Sequence, residues 1–245
     1  MLYRFKVFKK FNQLMQRQDG FTGAFKGCIC IAVVICAVIV FMENNTMDRH
    51  SALSAVCNDC YENRVAITFD DGPRSDTTGK LLDGLKERNV KATFFMIGEN
   101  IEKNQELVRR INDEGHLIGN HTYTHVKLSA ISADKACNEI IKTNEEIEKV
   151  TGICTKYIRP PYGSYSNKLL MKINMIPVLW TVDPKDWDTT DISGVVRKVV
   201  DNTKCGDIIL LHDIYPSSVA AALEIVDELK AKGFVFVTVD QIILD

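Results

Sequence analysis

From Arg64 onward the chain repeats one rhythm: a short apolar run rich in β-branched residues, then a longer segment of helical period. The runs are VAITF, ATFFMIG, HLIGN, KYIR, IPVLWTV, DIILLH and FVFVTV. Between them lie stretches such as TTGKLLDGLKERN, NQELVRRINDEG, SADKACNEIIKTNEEIEKVTG and SSVAAALEIVDELKAKG. Strand followed by helix, about seven times over, predicts an α/β fold with parallel strands joined by crossover helices. A doubly wound sheet and a closed barrel share this pattern. About 180 residues is light for an eight-fold barrel, so the expected architecture is a distorted, shortened (β/α) barrel with about seven parallel strands.

The N-terminal part breaks the rhythm. Residues 1–26 carry Arg4, Lys6, Lys9, Lys10, Arg17 and Lys26 against the single acid Asp19, and GCICIAVVICAVIVFM, residues 27–42, has no charge. At about 1.5 Å per residue the run spans about 24 Å, slightly short of the roughly 30 Å hydrocarbon core, and a snorkelling Lys26 and local thinning of the bilayer make up the difference. Without a polar face it does not read as a core helix, and without an A-x-A-like site close after Met42 an uncleaved anchor is favoured over a signal peptide. The expected order is a basic cytoplasmic segment 1–26, a transmembrane helix 27–42, a polar extracellular linker 43–63 and a domain at 64–245. The cationic flank stays inside, which makes this a single-pass protein of the cell membrane with its domain outside.

Composition excludes little else. A net charge of −2 and a pI near 6.2 give no electrostatic footprint for nucleic acid, so no nucleic-acid partner is expected. Of the eight cysteines, Cys28, Cys30 and Cys36 fall in the apolar run, and Cys57 and Cys60 form a C-x-x-C in the linker. Cys137, Cys154 and Cys205 read as small buried hydrophobes.

The polar residues fall where the runs end. Asp70 and Asp71 follow the first run, His121 and His125 the third, Arg159 the fourth, Asp183 and Asp186 the fifth, and His212 the sixth. In a parallel β/α architecture those ends form one face, which is where such folds bind ligands. In HTYTH the spacing of four would put both imidazoles on one side of a helical turn, where they could grip a metal ion with a carboxylate from another strand end. Two unrelated surface histidines are the competing reading. Two histidines and one aspartate around a divalent ion, with room for water, make a hydrolytic arrangement. One of the paired aspartates would bind the ion while its neighbour, pointing elsewhere, removes a proton from the water; a turn role for DDGP is compatible with both. In YIRPPYGSYS, Arg159 would hold a carboxylate and the stiff backbone after it would present an N–H to an oxyanion, against a plain strand-to-helix turn. In VDPKDWD, an acid beside Trp187 suits a sugar ring and a histidine partner. His212 is then the proton donor left for a leaving group, and His116, ahead of a strand, is structural.

TFDDGP, HTYTH, RPPYG, DPKDW and LLHD, in that order, resemble the five motifs of the polysaccharide deacetylase family, also called carbohydrate esterase family 4 or the NodB-homology domain. The resemblance runs from about Arg64 to the C-terminus. It implies a distorted (β/α) barrel that removes acetyl groups from N-acetylated sugars with one divalent metal ion, commonly zinc. Matched position by position, Asp71, His121 and His125 would be the metal ligands and Asp70 the general base. Arg159 and Asp186 would orient the base and the acid, the Tyr162 N–H would bind the oxyanion, and His212 would be the general acid. Trp187 and Leu210 would line the acetyl pocket, with Pro161 and Tyr162 on the substrate-binding side. Tyr162 and Asp183 resemble members acting on N-acetylglucosamine more than those acting on muramic acid. With an outward-facing domain, the expected substrate partner is a cell-wall polysaccharide, first peptidoglycan, with chitin-type oligosaccharides and acetylated xylan as alternatives. A wall-binding module without turnover is the reading of another class; it would tolerate loss of the base, a ligand or the acid, and none is missing.

Overall fold

The computed structural model of the chain describes residues 63–170 and 172–243. The expected anchor and the segments flanking it lie outside the described residues, and among the described residues no helix is long and apolar enough to cross a membrane.

In chain order the elements are β1 (Arg64–Asp70), α1 (Thr78–Glu87), β2 (Thr93–Met96), α2 (Gly98–Lys103), α3 (Gln105–Asp113), β3 (Leu117–Asn120), α4 (Ala133–Thr151) and β4 (Tyr157–Ile158). Then come α5 (Asn167–Leu170), β5 (Ile176–Pro177), α6 (Ile192–Asn202), β6 (Ile208–His212), α7 (Pro216–Ala231), β7 (Val235–Val237) and α8 (Asp240–Ile243). Every strand pairing is parallel, in the order β5-β4-β3-β2-β1-β6. The expected parallel α/β fold is therefore present, as a curled half-barrel rather than a full barrel.

The seventh strand does not widen it. Ala66 of β1 pairs with Ile208 on one edge and Val237 on the other, so β7 lies on the edge that β2 occupies from Thr68 onward. Closure comes instead from the segment after β5. Val178 N–H still donates to Ile158 C=O of β4 at 2.8 Å, but Thr181 N–H donates to Ile208 C=O at 2.9 Å and Leu210 N–H to Val182 C=O at 3.0 Å. One extended segment thus leaves β4 and joins β6, linking the two edges without an eighth strand. This explains why KYIR and IPVLWTV yield strands of two residues each.

The pleat decides what faces the site. Val65, Ile67 and Phe69 of β1 and Ile209 and Leu211 of β6 pack outward against Leu81, Leu82 and Leu85 of α1 and Ile225, Val226 and Leu229 of α7. Ala66 and Ile208 belong to a separate inner cluster with Phe95, Tyr157 and Val178. Because successive side chains alternate, Thr68 and Asp70 share the inner face with Ala66, and Leu210 and His212 share it with Ile208. The register sets Thr68 beside Leu210 and Asp70 beside His212. The cysteines depart from expectation: Cys137 is half-buried, and Cys154 and Cys205 are exposed free thiols.

Candidate active site

The C-terminal ends of β1 and β3 bring together three groups that no local sequence window contains. Asp71, His121 and His125 place one ligand atom each within 4.8 Å of the others. His121 follows β3 directly. Its Nδ1 lies 2.7 Å from the Arg159 carbonyl, which can only accept, so Nδ1 carries the proton and Nε2 presents a lone pair. That lone pair faces Asp71 Oδ1 at 3.3 Å, and His125 Nε2 faces the same oxygen at 3.2 Å. Asp71 Oδ1 is buried and receives no hydrogen bond. Burial lowers the pKa of His125, against the raising effect of Asp71, and so favours a neutral imidazole. The Asp71 oxygen and the His121 lone pair turned on one another repel unless a cation sits between them, and His125 Nε2 faces the same oxygen, so the donor set fits a divalent ion.

The loops that carry these ligands are held by polar braces. Asn120 donates from Nδ2 to Ile140 C=O (2.8 Å) and to Asn144 Oδ1 (2.7 Å), and its Oδ1 accepts the Thr122 N–H at 2.8 Å. Glu139 of α4 accepts the N–H groups of Tyr123 (3.0 Å) and Thr124 (2.8 Å). Asn100 Nδ2 donates to Asp71 C=O at 2.8 Å, and Ile97 N–H to Gly72 C=O at 3.1 Å. The ligand loop is not the helical turn that the spacing suggests. β3 ends at Asn120, and Thr122 and His125 have φ of 64° and 58°. Of the six non-glycine residues with left-handed φ among the described residues, five (Asp71, Thr122, His125, Tyr162 and Lys185) lie in the loops of this face. Such clustering of costly backbone conformations accompanies functional sites.

Asp70 is 3% exposed, and its Oδ1 accepts from Arg159 Nη1 at 2.8 Å. Arg159 is fully buried across the barrel interior. It also donates to Thr68 Oγ1 (2.6 Å), Val178 C=O (3.2 Å) and Leu179 C=O (3.1 Å), with its guanidinium 4.2 Å from the Phe95 ring centroid. Burial works to lower its pKa and Asp70 opposes this. Asp186, 1% exposed, grips His212 twice: Oδ2 accepts the backbone N–H at 2.8 Å, and Oδ1 lies 2.9 Å from Nδ1. Burial alone would lower the pKa of His212, but the Asp186 hydrogen bond and the charges of Asp186, Asp70 and Asp71 raise it to about 9. His212 is a cation at neutral pH.

These groups open into one cavity of about 410 Å³, whose lining includes Asp70, Asp71, His121, His125, Leu210 and His212. Tyr162, Trp187 and Asp183 also line it, whereas Pro161 is buried and does not. The Tyr162 hydroxyl lies 3.4 Å from His125 Nδ1. Sequence reasoning missed Trp180 and Tyr215 in the lining, and it missed Thr68, Asn120 and Glu139 as braces. Thr68 carries a visible signal, a polar residue inside the apolar run VAITF; the braces from α4 leave none. His116 is structural: its Nδ1 accepts the Ala92 N–H at 3.1 Å, and burial drives its pKa to about 4.

The parallel half-barrel carries this candidate metal cluster at its strand ends, and comparison with known proteins places the chain in a family. A family model described as polysaccharide deacetylase matches residues 58–178. A peptidoglycan-N-acetylglucosamine deacetylase of Bacillus cereus is 44% identical over 71% of this chain and 66% of its own length, and a second from the same organism is 40% identical over 74% and 89%. Bacillus subtilis PdaC, a peptidoglycan-N-acetylmuramic acid deacetylase, is 39% identical over 73% of this chain and 38% of its own length. A solved structure of PdaC superposes with a TM-score of 0.72, covering 74% of this chain and 90% of that one. The chain belongs to the polysaccharide deacetylase family. It spans less than two thirds of the first of these relatives, and little more than a third of PdaC.

Proposed function

We propose that this protein hydrolyses the N-acetyl group of N-acetylglucosamine in peptidoglycan, releasing acetate, with one zinc ion held by Asp71, His121 and His125. The observation that carries the reading is the division of labour between two adjacent carboxylates: Asp70 is locked to a buried arginine, while Asp71 turns an unpartnered oxygen toward the Nε2 atoms of two imidazoles.

A divalent ion held by Asp71, His121 and His125 would supply Lewis acidity for the acetyl carbonyl and lower the pKa of the attacking water. Asp70, held in place by Arg159, accepts the proton of the attacking water. The Tyr162 N–H donates to the oxygen that becomes negative as the water adds to the carbonyl carbon. His212, kept protonated and oriented by Asp186, gives its proton to the nitrogen as the carbon–nitrogen bond breaks. Acetate and a free amino sugar result. Leu210 and Trp187 bound the space for the acetyl methyl.

The sequence supports an anchored form: a transmembrane helix at 27–42 and a linker at 43–63 would hold the domain outside the cell membrane, within reach of the wall. The test is acetate release by the full chain from purified peptidoglycan, chitin oligomers and acetylated xylan, with and without a chelator. Peptidoglycan is expected to be the best substrate, and chelation to abolish the activity. No acetate from any polymer after zinc addition would leave the wall-binding module as the better reading.

A further inference from the structure

The groove does not end at the metal ligands. Asp71 and His125 line the cavity that holds the reacting groups and also a second cavity of about 580 Å³ whose remaining lining is different. The two read as lobes of one groove that meet at the ligand cluster. Beyond its catalytic groups the first lobe is aromatic, with Tyr162, Trp180, Trp187 and Tyr215. The second has no Phe, Tyr or Trp in its lining and presents two cations, Arg74 and Lys103, beside Asn100 and Asn104.

The charge of this second lobe is one-sided. Arg74 Nε meets Asp76 at 2.8 Å and Lys103 Nζ meets Glu99 at 4.0 Å, but neither acid lines the cavity. All four side chains are about half exposed or more, and such ion pairs are weak, on the order of 0–1 kcal/mol, so a better-placed anion displaces them. Asp71 is the one carboxylate in the lining, and a bound cation neutralises it. Asn100 and Asn104 each donate an amide N–H to the floor, to the carbonyls of Asp71 (2.8 Å) and Pro73 (3.2 Å), so they hold it in shape while the cations supply its charge.

We propose that the second lobe is a subsite for a carboxylate borne by the saccharide unit next to the one that loses its acetyl group. This rests on the deacetylase reading of the first lobe and narrows its substrate. A guanidinium fork matches a carboxylate in two parallel hydrogen bonds, and an ammonium adds a point charge. A neutral polymer of N-acetylglucosamine offers these cations nothing, whereas a glycan that alternates N-acetyl sugars with acid-bearing ones places an anion beside each reacting unit.

The test uses the zinc-loaded full chain and peptidoglycan oligosaccharides in two forms, with carboxylates free or capped as methylamides, alongside a neutral N-acetylglucosamine oligomer. The expected preference of the wild type for the free acids is about tenfold in kcat/KM, carried by KM and shrinking with added salt. The double variant Arg74→Gln, Lys103→Gln is expected to use free and capped fragments equally. Equal use by the wild type, or a preference that survives in the double variant, overturns the subsite even if acetate is released throughout. Absence of acetate from all three substrates overturns the deacetylase reading itself and the subsite with it.

Discussion

Asp70 and Asp71 are adjacent, yet the fold gives them opposite surroundings. Asp70 is the last residue of β1 and follows the pleat inward to a fully buried arginine. Asp71 leaves the strand with φ of 73°, and its Oδ1 faces the two histidine Nε2 atoms without a hydrogen bond. Their substitutions should therefore separate. Asp70→Asn should lower kcat on the order of 10²-fold or more while the chain still binds its metal, and Asp71→Asn should lose the metal; paired activity and metal assays check this. The pH profile tests His212. Its pKa is held near 9 chiefly by Asp186 against burial, so it carries the proton through neutral pH and loses it in the alkaline range. Without the carboxylate, burial is opposed only by the smaller raising effects of Asp70 and Asp71. Asp186→Asn should move the alkaline limb of kcat/KM to lower pH, and an unchanged limb would remove Asp186 from that role.

The elements were the legible part of the sequence and the loops were not. Short apolar runs set between helical periods located all seven strands, because most of the residues in those runs pack into a core. The position of reactive residues at strand ends followed from the same pattern, and it placed the site on the correct face. The backbone of HTYTH was not legible: a spacing of four fits a helix, but the loop reaches the same convergence through left-handed residues at 122 and 125, stabilised from α4 by Glu139 and Asn144. Polar braces arriving from distant helices leave no periodic trace. Two predictions belong to this scale. A Cβ on Gly72 would lie 2.2 Å from the buried Asp213 carboxylate, so Gly72→Ala should destabilise the domain by about 1–3 kcal/mol, read as a lower Tm. His116 at the start of β3 stays neutral to a pKa of about 4, whereas the unfolded chain protonates it near the ordinary 6.5. Its contribution is fully present above pH 6.5 and is lost as pH falls through about 4. Across that window His116→Asn, which keeps an acceptor for the Ala92 N–H, should lose less stability than the wild type in acid melts.

At the scale of the molecule, a barrel with too few strands closes by passing one segment from β4 to β6, and the same interior holds the arginine that fixes Asp70. The count of strands was readable from the sequence, but not that β7 would double the edge occupied by β2, because pairing partners are set by register rather than by composition. On this face Asp71, His121 and His125 gather into one candidate metal site. The most direct measurement is the number of zinc ions bound per chain, by metal analysis after equilibrium dialysis. We expect one ion in the wild type and none in His121→Ala or His125→Ala; a full equivalent retained by both variants would contradict the assignment.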